Sequence, residues 1–532
     1  MSVSSFAAPR SITVTDENGT YPLTRNEDGR VWGKGDVTVT IVEPSQTITL
    51  SAPQSAVRHL HLRWQDGDSP FEGYRFLGDH WERGYGDLEW RGVVPERRMP
   101  WYCLAHKQNS TTGMGVTVGA NAFCWWQIDN EGINLYLDVS NGGRGVLLGE
   151  RVLEVATLQH YKGELDESPF DAAFSFCRQL CPSPRLPDHP VYGANDWYYA
   201  YGRSTAEGIL RDTERTVALS PDGDNRPYSV IDDGWQANRR TPSLTQQAPW
   251  DRGNEFFPDM PGLAAAIRNL GARPGIWIRP LGAEPGTPEN LLLPTSRTSG
   301  ANGNVPGLDP SIPENLARIR ADMARLNAWG YDLIKHDWTT CDILGFWGFS
   351  MNDGLTKDGW HFADRSRTTA EIIRGLYETL REGAGNSLLI GCNTIGHLGA
   401  GLFEIQRTGD DTSGREWERT RKMGVNTLAF RMPQHNTFFA ADADCVGLTT
   451  HVPWHLNQQW LDLLARSGTP LFVSASQDAV GPEQTTALKE AFARAAQSQP
   501  AGEPLDWQHT TCPHHWKFGD ETVTYHWYNE ES

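Results

Sequence analysis

The chain has 532 residues, too many for one ordinary core, so two or three domains are expected. Its 66 acidic against 47 basic residues leave a net charge of −19, which argues against partners that need basic patches, nucleic acid and anionic membrane surfaces alike. Apolar and charged contents of 38% and 21% fit a soluble globular protein, and no apolar run reaches the roughly 18 residues of a membrane span.

The N-terminal stretch MSVSSFAAPRSITV has neither a basic flank nor a long apolar core. It does not read as a signal peptide, and a cytoplasmic protein is expected. The following region reads as β-rich. SITVTD from Ser11, DVTVTIV from Asp36, VRHLHLRW from Val57 and GINLYLDV from Gly132 alternate apolar and polar residues, and DENG, NEDG and SNGG mark turns between them. Residues 1–185 are therefore expected to form a β-sandwich. A helix is predicted from Pro169 to Leu180, and the Pro-rich CPSPRLPDHP marks a boundary.

Beyond Pro190 short apolar strands alternate with amphipathic helical stretches, the pattern of βα units and a parallel sheet. Eight strands are expected: VYGANDW from Val191, YSVIDDGW from Tyr228, RPGIWIRPL from Arg273, YDLIKHDW from Tyr331, SLLIGCNT from Ser387, FEIQRTGDD from Phe403, FFAADADCVGL from Phe438 and TPLFVSA from Thr469. PGLAAAIRNLG, PENLARIRADMARLNAWG and TAEIIRGLYETLREG are helices between them. Residues 186–498 thus predict a (β/α)8 TIM barrel, and residues 499–532, with WKFGDETVTYHWY, a short C-terminal β appendage. The fold class is multidomain.

Polar and charged residues gather at the C-terminal ends of these strands, where barrel active sites lie. They are Asp196 and Trp197, Asp232, Asp233 and Trp235, Arg279, Lys335 and Asp337, Asn393, Arg407 with Asp410 and Asp411, and Asp442 with Asp444. One carboxylate there could cap a helix; five clusters are poorly explained that way. Retaining glycoside cleavage needs an ionised nucleophile and a protonated acid about 5–5.5 Å apart. Asp337 suits the nucleophile, because Lys335 faces the same side of its strand and favours the ionised form. The acid/base is expected on another strand. Asp410 and Asp411 are adjacent, and like charges push one carboxyl's pKa upward. Asp232 and Asp233 suit sugar hydroxyls, with Trp235 as an apolar floor.

IDDGWQ at Ile231, LIKHDW at Leu333, RTGDD at Arg407 and NDW at Asn195 together resemble glycoside hydrolase clan D, α-galactosidase families 27 and 36. Family 36 is the more similar in layout. GDHWERGYGDLEW from Gly78 and APWDRGNEFFPDMPGL from Ala248, which contains Trp250, also resemble segments of that family. The resemblance implies Asp337 as nucleophile, Lys335 as a hydroxyl ligand beside it, and Asp232 and Asp233 as the residues defining galacto configuration. Further substrate contacts are expected at Asp196, Trp197, Trp235, Trp250, Arg279, Asn393, Arg407 and Asp444, of which Asp444, with Asp442, occupies the place of an acidic motif that looks structural or substrate-shaping. Matching on Gly-Asp favours Asp410 as acid/base, whereas counting four residues from the arginine favours Asp411; Asp410 is preferred here. The strand-five end GCNTIGHLGAG and the continuation TTCDILGFWGF depart from the common family form and leave the sugar open.

The expected activity is retaining hydrolysis of terminal α-linked galactose-like residues from an oligosaccharide or glycoside, with no cofactor and no metal, in a possible homo-oligomer. Alternatives are galactosyl transfer of the raffinose synthase kind, α-N-acetylgalactosaminidase activity and a non-catalytic sugar-binding protein. A metal-dependent barrel hydrolase would have to use His336, His397, His435, Asp442 and Asp444, but no strand carries paired histidines. Cys177 and Cys181 form a lone C-x3-C without a second pair, which disfavours zinc there.

Overall fold

A computed structural model describes residues 8–27, 29–65, 71–237, 248–298, 306–351 and 354–528. The first seven residues of the stretch read for a signal peptide lie outside these. Among the described residues no helix is long and apolar enough to cross a membrane.

The first part of the chain forms two antiparallel sheets of six and eight strands. Their strands follow the alternation in the sequence. In Ser11–Asp16 the side chains of Ile12 and Val14 are buried while intervening positions are more open, and Val37–Val42 and Thr47–Ser51 repeat the pattern. Trp101 stitches the two sheets together: its N–H donates to Cys124 O of one at 2.8 Å, and its carbonyl accepts from Val116 N of the other at 3.3 Å. The helix Pro169–Leu180 starts at the Ser168 cap and packs beside the eight-stranded sheet.

The remainder is built on one nine-stranded, wholly parallel sheet. In chain order its strands are Tyr192–Asn195 (strand one), Tyr228–Ile231 (two), Arg273–Ile278 (three), Leu333–His336 (four), Leu388–Gly391 (five), Ile405–Arg407 (six), Ala440–Asp442 and Cys445–Leu448 (the two halves of seven) and Leu471–Ala475 (eight). The halves of strand seven are the two edges of the sheet, separated in the chain by Ala443 and Asp444 alone. The sheet therefore curls until its edges nearly meet. The expected seventh strand is real but broken. Asp444 takes a left-handed φ of 73°, and the Asp442 carboxylate accepts its N–H at 2.9 Å, which turns the chain and ends the ladder.

The strands are short and buried on both faces, as parallel strands between helices must be. The helices start where the sequence supplies caps: Thr205 for Ala206–Leu219, Asp259 for Met260–Asn269, and a reciprocal Thr368–Glu371 box for Thr369–Gly383. A three-stranded antiparallel sheet, Glu503–Pro504, His515–Phe518 and Glu521–Thr524, closes the chain. All eight cysteines are buried free thiols.

Candidate active site

A cavity of about 380 Å³ opens at the C-terminal ends of the parallel strands. This is the size of a small-ligand cleft. Asp337, Asp410 and Asp411 line it, as do Asp232, Asp233, Lys335 and Trp197.

Asp337 follows strand four directly. Its backbone N–H donates to Ile278 O at 3.0 Å, which extends the pairing with strand three by one residue. Two donors fix its carboxylate: Trp277 Nε1 reaches Oδ2 at 3.2 Å, and Trp338 N reaches Oδ1 at 2.8 Å. Trp338 sits at a left-handed φ of 68°, uncommon for a bulky residue and a kind of strain that clusters at functional sites. The Arg279 guanidinium, 4.2 Å from its ring centre, and Trp347, 4.8 Å away, hold it there.

Lys335 Nζ donates to Asp232 Oδ2 at 2.7 Å, with both side chains almost wholly buried. Burial pushes the lysine pKa down, but Asp232 and Asp337 more than reverse this and hold the ammonium well above its ordinary value. Asn195 Nδ2 also donates to Asp232 Oδ2, at 2.8 Å. Asp233 receives Gln236 Nε2 at 2.7 Å.

Across the cavity the Asp410 carboxylate is held at both oxygens. Arg83 Nη1 lies 3.2 Å from Oδ1 and Arg419 Nη2 lies 2.6 Å from Oδ2. Asp411 is held more loosely: Arg407 Nη2 and Arg83 Nη1 approach Oδ1 at 3.4 and 3.7 Å, and among the described residues no donor reaches Oδ2. Its side chain is 40% exposed, against 19% for Asp410. Burial raises the Asp411 pKa, but Arg407, Arg83, Lys335 and Arg419 outweigh it and hold the group below the usual carboxylate range.

Seven of the expected site residues lie outside the cavity lining. Trp235 and Trp250 are core side chains, 0% and 1% exposed, packed against each other and against Trp329 and Trp277. Trp235 Nε1 is spent on Trp277 O at 2.8 Å. Arg279 is buried on Asp342, its Nε donating to Oδ2 at 2.9 Å. Asn393 donates to Glu82, and Arg407 pairs with Asp444 at 3.1 Å beneath the cavity floor. Asp444 also accepts from Tyr198 OH and from Thr412 N at 2.8 Å. Asp196 accepts from Asp232 N at 2.7 Å and from Ser204 Oγ, and burial with the neighbouring Asp232 pushes its pKa up to about 7. Burial likewise pushes Asp442 up to about 6. These residues hold the lining groups in place.

Sequence reasoning overlooked several lining residues. Arg83 and Tyr85 come from the loop after the strand Arg75–Gly78, more than 300 positions before Asp410, where no local pattern could place them. Trp347 and Phe349 sit at the turn Gly348–Ser350 that follows strand four. Trp277 and Cys392 belong to strand three and the end of strand five. A tryptophan inside a strand reads as core, so the sequence does not mark Trp277 as a lining residue.

The histidines considered as metal ligands lie apart. His336 packs against Phe403, His397 stacks on Trp101 at 4.6 Å, and His435 Nδ1 accepts from Ala441 N at 3.1 Å. Among the described residues no three His, Cys, Asp or Glu side chains converge as a metal-holding group.

No protein-family model matches the sequence, and no curated protein does. Solved structures share the fold at low identity. An α-galactosidase from Thermus thermophilus in complex with p-nitrophenyl α-D-galactopyranoside is 18% identical, with 97% of this chain and 99% of that chain covered at a TM-score of 0.61. A family 36 α-galactosidase variant from Geobacillus stearothermophilus in complex with stachyose is 14% identical, with 96% and 79% covered at 0.60. An α-galactosidase from Lactobacillus brevis is 14% identical, with 92% and 72% covered at 0.58.

Proposed function

We propose that this chain is a retaining glycoside hydrolase that releases terminal α-linked galactose-like residues from an oligosaccharide or glycoside. The observation that carries the reading is that Asp337, from strand four, and the Asp410–Asp411 pair, from strand six, line one cavity. Two carboxyls facing a common space are what glycoside cleavage needs, and reading them as a double displacement follows the motif resemblance. The fold likeness to α-galactosidases supports the choice of sugar.

In this mechanism Asp337 attacks the anomeric carbon as the carboxylate, and the bond to the leaving oxygen breaks as that oxygen takes the acid's proton. The resulting base then removes a proton from water, which attacks the anomeric carbon and frees Asp337 with configuration retained. The Trp277 and Trp338 N–H groups orient the nucleophile, and Lys335 keeps a positive charge beside it. Asp233 and Lys335 offer groups to the sugar's hydroxyls, and Trp197 and Trp277 offer apolar walls to its ring.

Matching on Gly-Asp favours Asp410 as the acid/base, and counting four residues from the arginine favours Asp411. The geometry favours Asp411, because both Asp410 oxygens carry an arginine while, among the described residues, no donor reaches Asp411 Oδ2. A carboxylate oxygen already engaged by a guanidinium is poorly placed to meet the leaving-group oxygen.

A panel of nitrophenyl α- and β-glycosides followed by product NMR tests the reading. Retained configuration on an α-galactoside, with a slow fluoro-sugar trapped on Asp337, is expected. An inverted product, or label on another residue, would overturn the mechanism.

A further inference from the structure

The loop from Glu82 to Tyr85 belongs to the antiparallel, N-terminal part of the chain, yet it is built into the mouth of the parallel sheet. Gly84 N donates to Thr408 O at 2.7 Å and Asp410 N donates to Gly84 O at 3.2 Å, a parallel bridge between Gly84 and Gly409 that continues strand six. Glycine is required on both sides of it. A Cβ on Gly84 would meet Thr427 Cγ2 at 2.6 Å, and one on Gly409 would meet Met423 O at 1.9 Å. The main chain therefore brings residue 83 beside the carboxylate pair.

Arg83 is 5% exposed. Its Nη1 faces Asp410 at 3.2 Å and Asp411 at 3.7 Å, its Nε donates to Glu82 Oε1 at 3.0 Å, and its guanidinium carbon lies 5.5 Å from the Trp347 ring centre. Glu82 is itself pinned, accepting from Gly348 N at 2.7 Å, from Tyr85 OH at 3.0 Å and from Asn393 Nδ2. Glu82 thus aims Arg83, and Arg83 bridges two adjacent carboxylates that would otherwise repel each other.

We infer that Arg83 is a positioning residue of the acid/base pair: a guanidinium supplied by the N-terminal part of the chain that clamps Asp410 and keeps Asp411 beside it, turned to the cavity. This rests on reading Asp337 and the Asp410–Asp411 pair as the catalytic carboxyls. The charged and titratable groups facing the pair come from every side. They are Arg407 on strand six, Arg419 after it, Lys335 on strand four, Tyr198 and Tyr201 after strand one, Asp444 in the break of strand seven, and Glu82, Arg83 and Tyr85 on the loop. Arg83 differs from the other cations in touching both carboxylates.

The test is Arg83→Gln beside Arg83→Lys, with near-UV circular dichroism to establish folding. Removing the cation favours the protonated acid, so the alkaline limb of kcat/KM on an α-galactosyl disaccharide should move up by about one pH unit in Arg83→Gln, with kcat reduced. Arg83→Lys should keep the limb near its original pH while losing the fork geometry and part of kcat. A second readout needs no activity. The ion pair contributes stability only while Asp411 is ionised, so the Tm gap between the parent and Arg83→Gln should be full at pH 7 and shrink as pH falls through the depressed Asp411 pKa. An unmoved alkaline limb, or a Tm gap that ignores pH, overturns the inference and makes Arg83 a packing residue. If a fluoro-sugar fails to label Asp337 while the Tm gap still closes with acid, the catalytic reading falls and the clamp remains.

Discussion

Replacing Lys335 by methionine tests the electrostatics of the site floor. Lys335 Nζ and Asp232 Oδ2 are 2.7 Å apart, and their side chains are 12% and 4% exposed, so water screens the pair poorly. Removing one partner of a buried pair leaves an uncompensated charge, at a cost of about 3–5 kcal/mol. Asp232 would keep Asn195 Nδ2 at 2.8 Å and the Asp233 N–H at 2.9 Å, which places the expected loss near the lower end, about 3 kcal/mol. The double variant Lys335→Met, Asp232→Asn carries no stranded charge and should recover much of that loss, while either variant loses turnover. The assay is urea unfolding followed by tryptophan fluorescence, comparing midpoints at constant m-value. A single-variant loss below about 1 kcal/mol, or a double variant no more stable than the single, would show that the pair is solvated and would refute the reasoning.

Three further outcomes follow from the geometry. Asp411→Asn should lower kcat/KM on a disaccharide by about 10²–10⁴ while sparing substrates whose leaving group needs no proton, and azide should rescue it to a glycosyl azide of retained configuration; Asp410→Asn giving that pattern instead would reverse the assignment. Gly409→Ala should cost about 1–3 kcal/mol by equilibrium unfolding, because its methyl would overlap Met423 O at 1.9 Å, and a neutral substitution would mean the bridge to Gly84 is not made. Asp196→Asn should gain stability over the parent as pH rises. The folded-state carboxyl pKa of about 7 exceeds the ordinary value, so the parent loses stability between roughly pH 4 and 7 while the amide does not. Equal pH profiles of Tm would contradict the burial of that carboxyl.

The strands were legible because buried parallel strands are largely apolar runs, and Ile231 and Ile278 each end one just before the polar groups begin. The helix Thr369–Gly383 was legible to the residue because its cap and apolar stripe coincide. The break in strand seven was not, since an aspartate in a left-handed conformation leaves no trace in an apolar run. At the site, alternation along strand four put Lys335 and Asp337 on one side, and both line the cavity. Trp235 and Trp250 misled because tryptophan serves sugar and core equally, and only three-dimensional packing separates the roles. Arg83 was illegible for a different reason: its partner lies across a loop closure of more than 300 residues, and no periodicity spans that distance.

The eight buried thiols give the molecule its own set of reporters. They are spread through the fold, from Cys103 and Cys124 in the antiparallel sheets and Cys177 and Cys181 at the end of one helix to Cys445 beside the strand-seven break and Cys512 near the C-terminal sheet. An alkylating reagent can reach such a sulfur only when the surrounding structure opens, so the rate at which each cysteine is modified measures how often that region breathes. Cys392 faces the cavity, and a bound sugar should slow its modification while leaving remote thiols unchanged. Mass spectrometry of timed alkylation would then map occupancy and local opening together, without altering a residue of the chain.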